Sequence, residues 1–481
     1  MIGGEAMSTL TIKFGGTSVG SVEAITQAAS IVHEQAQKWD RLAVVVSAMS
    51  GVTDALVQGA RTAASGDGQT YRALVADLRV RHYRVIDELL TPDGERAQML
   101  AAVDEYLEEF AIFCRSVHVL GEVTPRAMDA ITSLGERINA RVLAAVLRRR
   151  GIESEAMDAT ELIVTDGHFQ NAAPRMDATR ARIAERLVPM LQDGIVPIVT
   201  GFIGATEDGV TTTLGRGGSD YTAAILGDCL DADEVWTWTD VDGVMTADPR
   251  TVPGARVIPV LSYAEVSELA YFGAKVLHPR TIWPLVERGI PLWVKNTFNP
   301  TCPGTCVVRE PETSSGTVKA VTAIKGLSMV TVEGRGMLGV PGIAARTFSA
   351  VASQGASVLM ISQASSEHSI CFVIPTEAAS PVIGAIGAEL ALELARRDVD
   401  RVWALDDVVI VSVVGAGMRA TPGVSARVFG ALGQGDINVV AIAQGSSDSS
   451  ISLVVAADVA ADAVRRIHTE VILNGGAEQL V

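Results

Sequence analysis

A stretch near the N-terminus joins a lysine, two adjacent glycines and two hydroxyl residues in a spacing that could bind phosphate. Residues 10–14 are apolar except for Lys13 and predict a short strand, after which Gly15–Gly16 allow a sharp turn. Thr17–Ser18 favour a helix start, and apolar periodicity predicts a helix over Val22–Gln37. Backbone N–H groups, a helix dipole and an ammonium group in one place favour an anion. An ordinary strand-to-helix turn is the alternative interpretation, and the residue order matches neither a Walker motif nor GxGxxG.

A second glycine-rich turn, in residues 213–222, places an arginine and an aspartate around two glycines. It opens another predicted helix, Tyr221–Gly227. Arg216 can bind a carboxylate through two parallel hydrogen bonds, and the amides of Gly217–Gly218 and the hydroxyl of Ser219 can hold oxygens. A structural turn is the alternative, but charged residues beside two glycines are costly there without a ligand. The pattern therefore favours a binding turn.

Further polar residues follow a predicted strand. Thr239–Asp240 end the strand predicted over Glu234–Thr239, at the sheet edge where open α/β folds bind ligands. Arg250 follows a turn at Asp248–Pro249 and is free to meet a phosphate, and Lys275 adds a second positive charge farther along the chain.

The elements that position these residues alternate between strand and helix up to about residue 298, which predicts an α/β domain with a largely parallel sheet. The other predicted strands are Leu42–Ser47, Ile195–Thr200 and Pro291–Asn296. Residues 70–120 have helical patterns without strands and predict an insertion over the sheet. A long predicted helix, Pro125–Arg150, places Ser133 and Glu136 on one face, although Glu136 alone would be interpreted as a solvated helix residue. Residues 298–319, rich in Pro, Gly, Thr and Ser, predict a boundary.

The region after this boundary contains an internal repeat. Pro341–Ala350 matches Pro422–Ala431 without a gap, and the match continues to Gln363 and Gln444. Each copy predicts a helix, a strand rich in β-branched residues, a Gln-x-Ser-Ser turn and another strand. The sequence therefore predicts two copies of one small α+β module.

Composition excludes several classes of function. The chain has 481 residues, 48% of them hydrophobic, which is enough for about two to four domains. A formal charge of −17 without a basic tract argues against a nucleic-acid or anionic-membrane surface. No apolar run reaches the length of a membrane helix, and the N-terminus does not resemble a secretory signal; residues 1–6 are interpreted as a dispensable tail before Met7. Five scattered cysteines fit reduced thiols in the cytoplasm, and the close pair Cys302 and Cys306 lacks further ligands for zinc.

Taken in order, these motifs resemble the aspartokinases of the amino-acid kinase fold. The matching stretches are Lys13–Ser18, Ser133–Glu136, Leu214–Tyr221, Thr239–Gly243, Asp248–Arg250 and Phe272–Pro279. The resemblance covers nearly the whole chain, and the repeated modules are similar to the family's tandem ACT domains. Their turns resemble those of the bifunctional aspartokinase–homoserine dehydrogenases, although the sequence up to Val481 holds no dehydrogenase part. Met245 departs from the pattern, because many relatives carry a tyrosine near the adenine.

The resemblance implies a kinase domain over 1–298, a linker and edge strand over 299–325, and ACT domains over 326–402 and 403–481. It also implies phosphoryl transfer from ATP to the β-carboxylate of L-aspartate, giving 4-phospho-L-aspartate, the first step of lysine, threonine and methionine biosynthesis. A carboxylate nucleophile is already ionised and needs no strong base. The enzyme has only to bring two anions together and neutralise charge on the moving phosphoryl group.

The resemblance further implies a role for each matched residue. Lys13 and Asp220 are expected to be catalytic. The residues expected to bind ATP are Lys13, Phe14, Gly15, Gly16, Thr239, Asp240, Met245, Arg250, Lys275 and Val276. Those expected to bind aspartate are Thr53, Glu136 (for its α-ammonium), Arg216 (for its α-carboxylate), Gly217, Gly218 and Ser219. We expect Mg²⁺ to be held chiefly by ATP phosphates and water, since the sequence offers no dedicated carboxylate cluster.

The repeated modules predict feedback regulation. Gln363 and Gln444 are expected to bind an amino acid, with L-threonine preferred over L-lysine, and the modules are expected to join the chain into a homodimer or homotetramer. A glutamate or acetylglutamate kinase is an alternative that would share the phosphate-binding turn but would not be expected to have both Arg216 and Glu136, or the tandem modules. An amino-acid sensor with an inactive kinase domain is another, and it would be expected to have lost Lys13 or Arg216.

Overall fold

The computed structural model describes residues 7–273, 277–310, 318–337, 340–363, 368–418, 421–444 and 449–474. Its strands are, in chain order, β1 (Thr9–Phe14), β2 (Arg41–Val46), β3 (Ser154–Met157), β4 (Val196–Thr200), β5 (Ile203–Ala205), β6 (Thr211–Thr213), β7 (Glu234–Thr239), β8 (Val260–Ser262), β9 (Leu292–Asn296), β10 (Thr305–Val308), β11 (Ala320–Glu333), β12 (Met360–Gln363), β13 (Ser369–Pro375), β14 (Arg401–Val414), β15 (Ala441–Ala443) and β16 (Ser450–Ala456). Its helices are α1 (Val22–Gln35), α2 (Val52–Ala64), α3 (Thr70–Leu89), α4 (Gly94–Leu120), α5 (Pro125–Thr132), α6 (Leu134–Arg149), α7 (Met176–Gln192), α8 (Gly218–Cys229), α9 (Tyr263–Tyr271), α10 (Pro279–Arg288), α11 (Ile343–Ser353), α12 (Thr376–Glu389), α13 (Ala391–Arg396), α14 (Val424–Gly433) and α15 (Ala460–His468). Within these ranges, none of the helices combines the length and the apolar character needed to cross a membrane.

The described chain folds into two compact units. The first contains the residues up to 244 together with residues 257–263 and 277–310. The second contains residues 245–256, residues 264–273 and the described residues from 318 onward. Two short segments of the second unit are therefore flanked in the sequence by parts of the first.

The first unit is built on an eight-stranded sheet with the order β3-β4-β2-β1-β7-β9-β10-β8. Strand β1 lies near its middle, parallel to β2 and β7, and within this sheet β9 and β10 are the pair that runs antiparallel. The predicted largely parallel sheet is confirmed, and the five predicted strands in it match β1, β2, β4, β7 and β9 to within one residue at each end. Strands β3, β8 and β10 were not predicted, and β10 falls inside the stretch expected to be a domain boundary.

The helices of the first unit form more than one layer. Residues 70–120 form α3 and α4 without strands, as predicted, but these helices pack against α2 and α6 instead of on the sheet. The prediction of an insertion lying over the sheet is therefore wrong, and α3 and α4 form an outer layer whose apolar side chains continue the central core. The predicted long helix is interrupted at Ser133, which separates α5 from α6 and whose Oγ donates to the carbonyl of Ala130 at 2.7 Å.

The second unit contains a six-stranded antiparallel sheet with the order β12-β13-β11-β14-β16-β15. Its two central strands, β11 and β14, are long, and their pairing shifts register between Ile324 and Met329. One half of this pair carries β13 and β12, and the other carries β16 and β15, each half with its own buried apolar core. Helices α11 and α14, strands β12 and β15, and strands β13 and β16 take equivalent places, so the predicted repeat is confirmed as two modules that share their central strands.

Candidate active site

The turn after β1 brings an ammonium group onto two glycines. Lys13 is buried in β1, and its Nζ lies 2.7 Å from Oδ1 of Asp220 in an ion pair. A Cβ built on Gly15 would lie 3.6 Å from the same Nζ, so the lysine side chain reaches the turn that follows its own strand. Asp220 belongs to the first turn of α8. The fold thus brings together the two residues that the sequence predicted to be catalytic.

Two predicted contacts of this turn are wrong. The amide of Gly15 is not free to bind a phosphate, because it donates to the carbonyl of Trp238 at 3.0 Å. The ring of Phe14 is fully buried and stacks on Trp238, with ring centroids 6.3 Å apart, so this side chain cannot meet a nucleotide. The amide of Gly16 has no backbone partner within the described residues and remains a donor for an anion.

Thr17 and Ser18 do not begin α1. They lie in a short 3-10 turn, where the buried Ser18 hydroxyl donates to the Trp238 carbonyl at 3.1 Å and pairs with Oγ1 of Thr297 at 2.7 Å. The cap of α1 is Ser21, whose side chain accepts from a backbone amide of the first turn at 3.2 Å. Positive charge at the glycine turn therefore comes from Lys13 more than from the dipole of α1.

The second glycine-rich turn connects β6 to α8. Gly217 caps α8 with a φ of 72°, a left-handed conformation that glycine adopts without steric cost. The amide of Gly218 donates to the carbonyl of Gly215 at 3.0 Å, so the prediction that it holds a ligand oxygen is wrong. Arg216 is exposed, and no ion pair joins its guanidinium to another described residue. Together with the first-turn amides of α8, this guanidinium suits an anionic group.

The turns after neighbouring parallel strands contact one another. A Cβ on Gly16 would lie 3.0 Å from the carbonyl oxygen of Ala48, in the loop after β2. A Cβ on Gly201, directly after β4, would lie 2.7 Å from Oγ of Ser219 in α8. Because parallel strands end at one edge of a sheet, these close approaches bring the two glycine-rich turns to the same edge.

Glu136 lies in the first turn of α6 and is only 3% exposed. Burial raises the pKa of its carboxyl to about 8, although the amide of Ala48 and its own amide favour the ionised form. Its Oε2 has no hydrogen-bond partner in the part of the chain that the structure describes. The interpretation as a solvated helix residue is therefore wrong, and an ammonium group entering here would supply the missing partner.

Asn139 supports this carboxyl and was missed by sequence analysis. It is fully buried on α6, and its Nδ2 donates to the carbonyl of Ser47 at 2.6 Å, which fixes the loop that presents Ala48 to Glu136. Its position three residues after Glu136 puts both on one helix face, and that spacing could have identified it. Thr53 lies half-buried in the first turn of α2, just after the same loop.

Strand β7 ends beside the Lys13 turn, since β7 pairs with β1. The hydroxyl of Thr239 donates to Oδ1 of Asp240 at 3.2 Å, and the carbonyl of Thr239 accepts from the amide of Thr297 at 2.9 Å. Asp240 is exposed. Both residues therefore lie where the sequence placed them, at the carboxyl edge of the sheet.

The other predicted nucleotide contacts belong to the second unit or are not described. Met245 and Arg250 are part of the second unit. Arg250 is 90% exposed, and its Nη2 lies 2.8 Å from Oδ2 of Asp248. The predicted contact of Arg250 with a phosphate therefore stays a prediction. Lys275 and Val276 lie outside the described residues.

Two known families match the chain. Residues 8–296 match the amino acid kinase family, and residues 330–390 and 411–471 each match the ACT domain. The chain is 38% identical to bifunctional aspartokinase/homoserine dehydrogenase 1, chloroplastic, of Arabidopsis thaliana over 469 residues, which is 96% of this chain and 51% of that protein. It thus spans about half the length of this relative.

Solved structures match over nearly their full length. E. coli aspartokinase III in complex with aspartate and ADP (R-state) is similar with a TM-score of 0.79 and 30% identity, over 96% of this chain and 99% of that one. The same E. coli enzyme in complex with lysine and aspartate (T-state) gives a TM-score of 0.78 and 29% identity, over the same shares of both chains.

Proposed function

Since the chain belongs to the amino acid kinase family, and within it to the aspartokinases with paired ACT domains, we propose that it transfers a phosphoryl group from ATP to the β-carboxylate of L-aspartate. The product is 4-phospho-L-aspartate, which begins lysine, threonine and methionine biosynthesis. The observation that carries this proposal is the buried carboxyl of Glu136, whose Oε2 has no hydrogen-bond partner among the described residues and which lies at the same sheet edge as the Lys13–Asp220 pair. A substrate with an ammonium group and an acceptor carboxylate fits both.

In this proposal, some of the site residues act on the phosphoryl group of ATP and others bind aspartate. Lys13 and the amide of Gly16 face the transferred phosphoryl group and neutralise the charge that develops on it. Asp220 holds the Lys13 ammonium at the end of β1. Glu136 pairs with the α-ammonium of aspartate, and Arg216 binds its α-carboxylate through two parallel hydrogen bonds. Neither residue binds the β-carboxylate, which is therefore available to attack the phosphorus atom of the γ-phosphate.

A divalent cation accompanies ATP in this proposal, and Mg²⁺ is the one that we expect. Within the described ranges, the His, Cys, Asp and Glu side chains form no cluster of three or more that could hold a metal. We expect the cation to be bound through phosphate oxygens and water, with at most one carboxylate such as Asp240 nearby. The cation would supply charge neutralisation on the phosphates.

Release of ADP tests the proposal directly. Purified protein with MgATP is expected to release ADP with L-aspartate and not with L-glutamate or N-acetyl-L-glutamate, because the chain belongs to the aspartokinases and N-acetylation removes the ammonium group that Glu136 is proposed to bind. ADP release with glutamate instead would indicate a sister kinase. Binding of an amino acid without ADP release would indicate a sensor with an inactive kinase domain.

Binding of aspartate is expected to depend on pH through Glu136. Its pKa of about 8 means that most of the carboxyl is protonated at about pH 7, and only the ionised form pairs with an ammonium group. The KM for aspartate is therefore expected to fall by about tenfold between about pH 7 and pH 9, as the ionised fraction rises. Initial rates over this range, at saturating ATP, measure it.

Glu136→Gln is the matched variant for this prediction. It should raise the KM for aspartate and remove its pH dependence, because a glutamine of the same size does not ionise. The KM for ATP serves as the internal control and should keep its pH profile in both proteins. A wild-type KM for aspartate that stays constant across the range would contradict the role of Glu136.

We propose that L-threonine inhibits the enzyme by binding near Gln363 and Gln444. Gln363 ends β12, Gln444 directly follows β15, and both side chains are exposed. Oγ of Ser362 donates to the carbonyl of Ile442 at 3.2 Å, so the equivalent edge strands of the two modules lie side by side. The two glutamines follow this contact closely in the sequence, and their amides offer donors and acceptors for an amino acid. The turns predicted to follow them, residues 364–367 and 445–448, lie outside the described residues.

Gln363→Ala and Gln444→Ala are expected to weaken inhibition by threonine and to leave the uninhibited kcat nearly unchanged. The physical reason is that an effector acts only through tighter binding to a less active state, so loss of its contacts removes the effect without touching the active site. Threonine and lysine titrations of the wild type and both variants measure this. A wild type that ignores threonine at millimolar levels, or responds to lysine alone, would reject threonine as the effector.

The proposal also covers the oligomeric state of the enzyme and the compartment in which it works. We propose a homodimer or homotetramer assembled through the ACT modules. Light scattering coupled to size exclusion tests this. The five cysteines are unpaired, which favours a reducing compartment such as the cytoplasm.

A further inference from the structure

One buried carboxylate of the first unit has no role in the chemistry described above. Asp129, on α5, is 1% exposed, and no described lysine or arginine forms an ion pair with it. Its oxygens accept from three donor groups. The amide of Gln170 donates at 2.9 Å, and the amide and hydroxyl of Thr213 donate at 2.9 and 2.8 Å.

These donors come from two separate loops. Gln170 lies in the loop of residues 166–171 and has a φ of 68°, which is uncommon for a residue with a side chain. Thr213 ends β6, three residues before Arg216. Asp129 is therefore the point at which both loops are attached to the helical layer.

The two loops also lie against each other. The amide of Ala172 donates to the carbonyl of Thr213 at 2.9 Å. A Cβ built on Gly215, which has a φ of 77°, would lie 3.0 Å from Oδ1 of Asn171 and 3.1 Å from the carbonyl of Gln170. Any shift of the 166–171 loop would therefore be transmitted to the residue next to Arg216.

A carboxylate suits this position better than an amide would. The amide of Gln170 lies within hydrogen-bond distance of both carboxylate oxygens, and the amide of Thr213 reaches one of them, so an asparagine nitrogen at either position would face at least one N–H donor. Burial raises the pKa of Asp129, while the hydrogen bonds from Gln170 and Thr213 oppose that shift. Burying a carboxylate without a cation partner costs free energy, so its use here indicates that the exact position of the 166–171 loop matters.

We propose that Asp129 is a positioning residue for substrate recognition, which sets the place of Arg216 by fixing the end of β6 and the 166–171 loop together. This inference rests on the proposed function, because it assigns Arg216 to the α-carboxylate of aspartate. Asp129 itself does not touch the substrate.

Asp129→Asn is expected to raise the KM for aspartate by about tenfold or more, since a displacement of about 1 Å at a binding group can cost as much as 10²-fold. The KM for ATP should stay within about twofold, because Lys13 and Gly16 are attached to other strands. Thr213→Val, which removes only the hydroxyl donor, should give a smaller increase, and Thr213→Ser should restore the wild-type value.

Asp228→Asn is the control for loss of a buried carboxylate. Asp228 is 6% exposed at the other end of α8, where it accepts from Arg180 at 2.7 Å and Arg288 at 2.8 Å. This variant should lower the melting temperature without changing the KM for aspartate. Equal changes of both KM values in Asp129→Asn, or an aspartate KM that matches the Asp228→Asn control, would overturn the proposal.

Two other results are possible: Asp129→Asn does not fold, or the wild type has no activity with aspartate. If Asp129→Asn does not fold, Thr213→Val and Thr213→Ser decide the question, and identical KM values for the two would overturn the proposal. If the wild type shows no activity with aspartate, the proposed function is rejected. Calorimetric titration of aspartate then compares the affinities of Thr213→Val and Thr213→Ser for aspartate without catalysis. Equal affinities would overturn the positioning role.

Discussion

Lys13→Ala is expected to lower kcat by on the order of 10²-fold or more. The Lys13 ammonium is fixed by its ion pair with Asp220 and lies over the glycine turn, so it meets the phosphoryl group without having to be reorganised. Its charge stabilises the transition state more than the ground state, and its loss therefore appears in kcat more than in either KM. Single-turnover and steady-state rates with aspartate and ATP measure the loss.

The controls for this variant follow from its surroundings. The ion pair with Asp220 is largely buried, so the alanine variant leaves a carboxylate without its partner and should melt at a lower temperature. Rates should be compared well below both melting temperatures. Lys38→Ala, at an exposed lysine paired with Glu34, should leave kcat unchanged. A Lys13→Ala enzyme within a few-fold of the wild-type kcat would refute the phosphate-binding role.

Arg216→Lys is expected to lower kcat/KM for aspartate by about tenfold to hundredfold. The exposed guanidinium can make two parallel hydrogen bonds to a carboxylate, and the single ammonium of a lysine cannot reproduce that geometry. Because the charge is retained, the loss reports on geometry and not on net attraction. Steady-state kinetics with varied aspartate give kcat/KM for aspartate, and a titration of the free enzyme with ATP gives the affinity for ATP.

The same exchange at an ordinary surface arginine provides the control. Arg175 pairs with Glu207 at 2.6 Å and is 55% exposed, so Arg175→Lys should change neither parameter. An Arg216→Lys enzyme with weak ATP binding and normal saturation by aspartate would assign Arg216 to the nucleotide instead.

Local sequence patterns predicted the central strands well. Strands β1, β2, β4, β7 and β9 are apolar runs bounded by turn residues, and burial on a parallel sheet demands that composition. The same patterns missed β3, β8 and β10, which have three or four residues each and contain few β-branched side chains or lie in a Pro- and Gly-rich stretch. Such short strands are stabilised by pairing with a neighbouring strand and not by local strand propensity, so the sequence pattern does not reveal them.

The structure brings several of the predicted site residues to one edge of the sheet and contradicts some of their predicted contacts. Lys13 and Asp220 were each identified from a glycine-rich turn, but their ion pair was not predicted, because they are more than two hundred residues apart in the sequence. The amides of Gly15 and Gly218 are used inside the protein, and no residue pattern shows which backbone groups a fold will consume. Asp129 was missed for a similar reason, since its partners Gln170 and Thr213 are distant in sequence and leave no local signal.

Identification of the phosphorylated carboxylate tests the central claim most directly. Incubation of the protein with MgATP, L-aspartate and hydroxylamine traps an acyl phosphate as a hydroxamate, and mass spectrometry with NMR assigns the carbon that carries it. We expect the β-hydroxamate of aspartate, formed in step with ADP, because in the proposed arrangement Arg216 and Glu136 bind the α-carboxylate and α-ammonium and leave the β-carboxylate to react. An α-hydroxamate, or ADP formed without any hydroxamate, would contradict it.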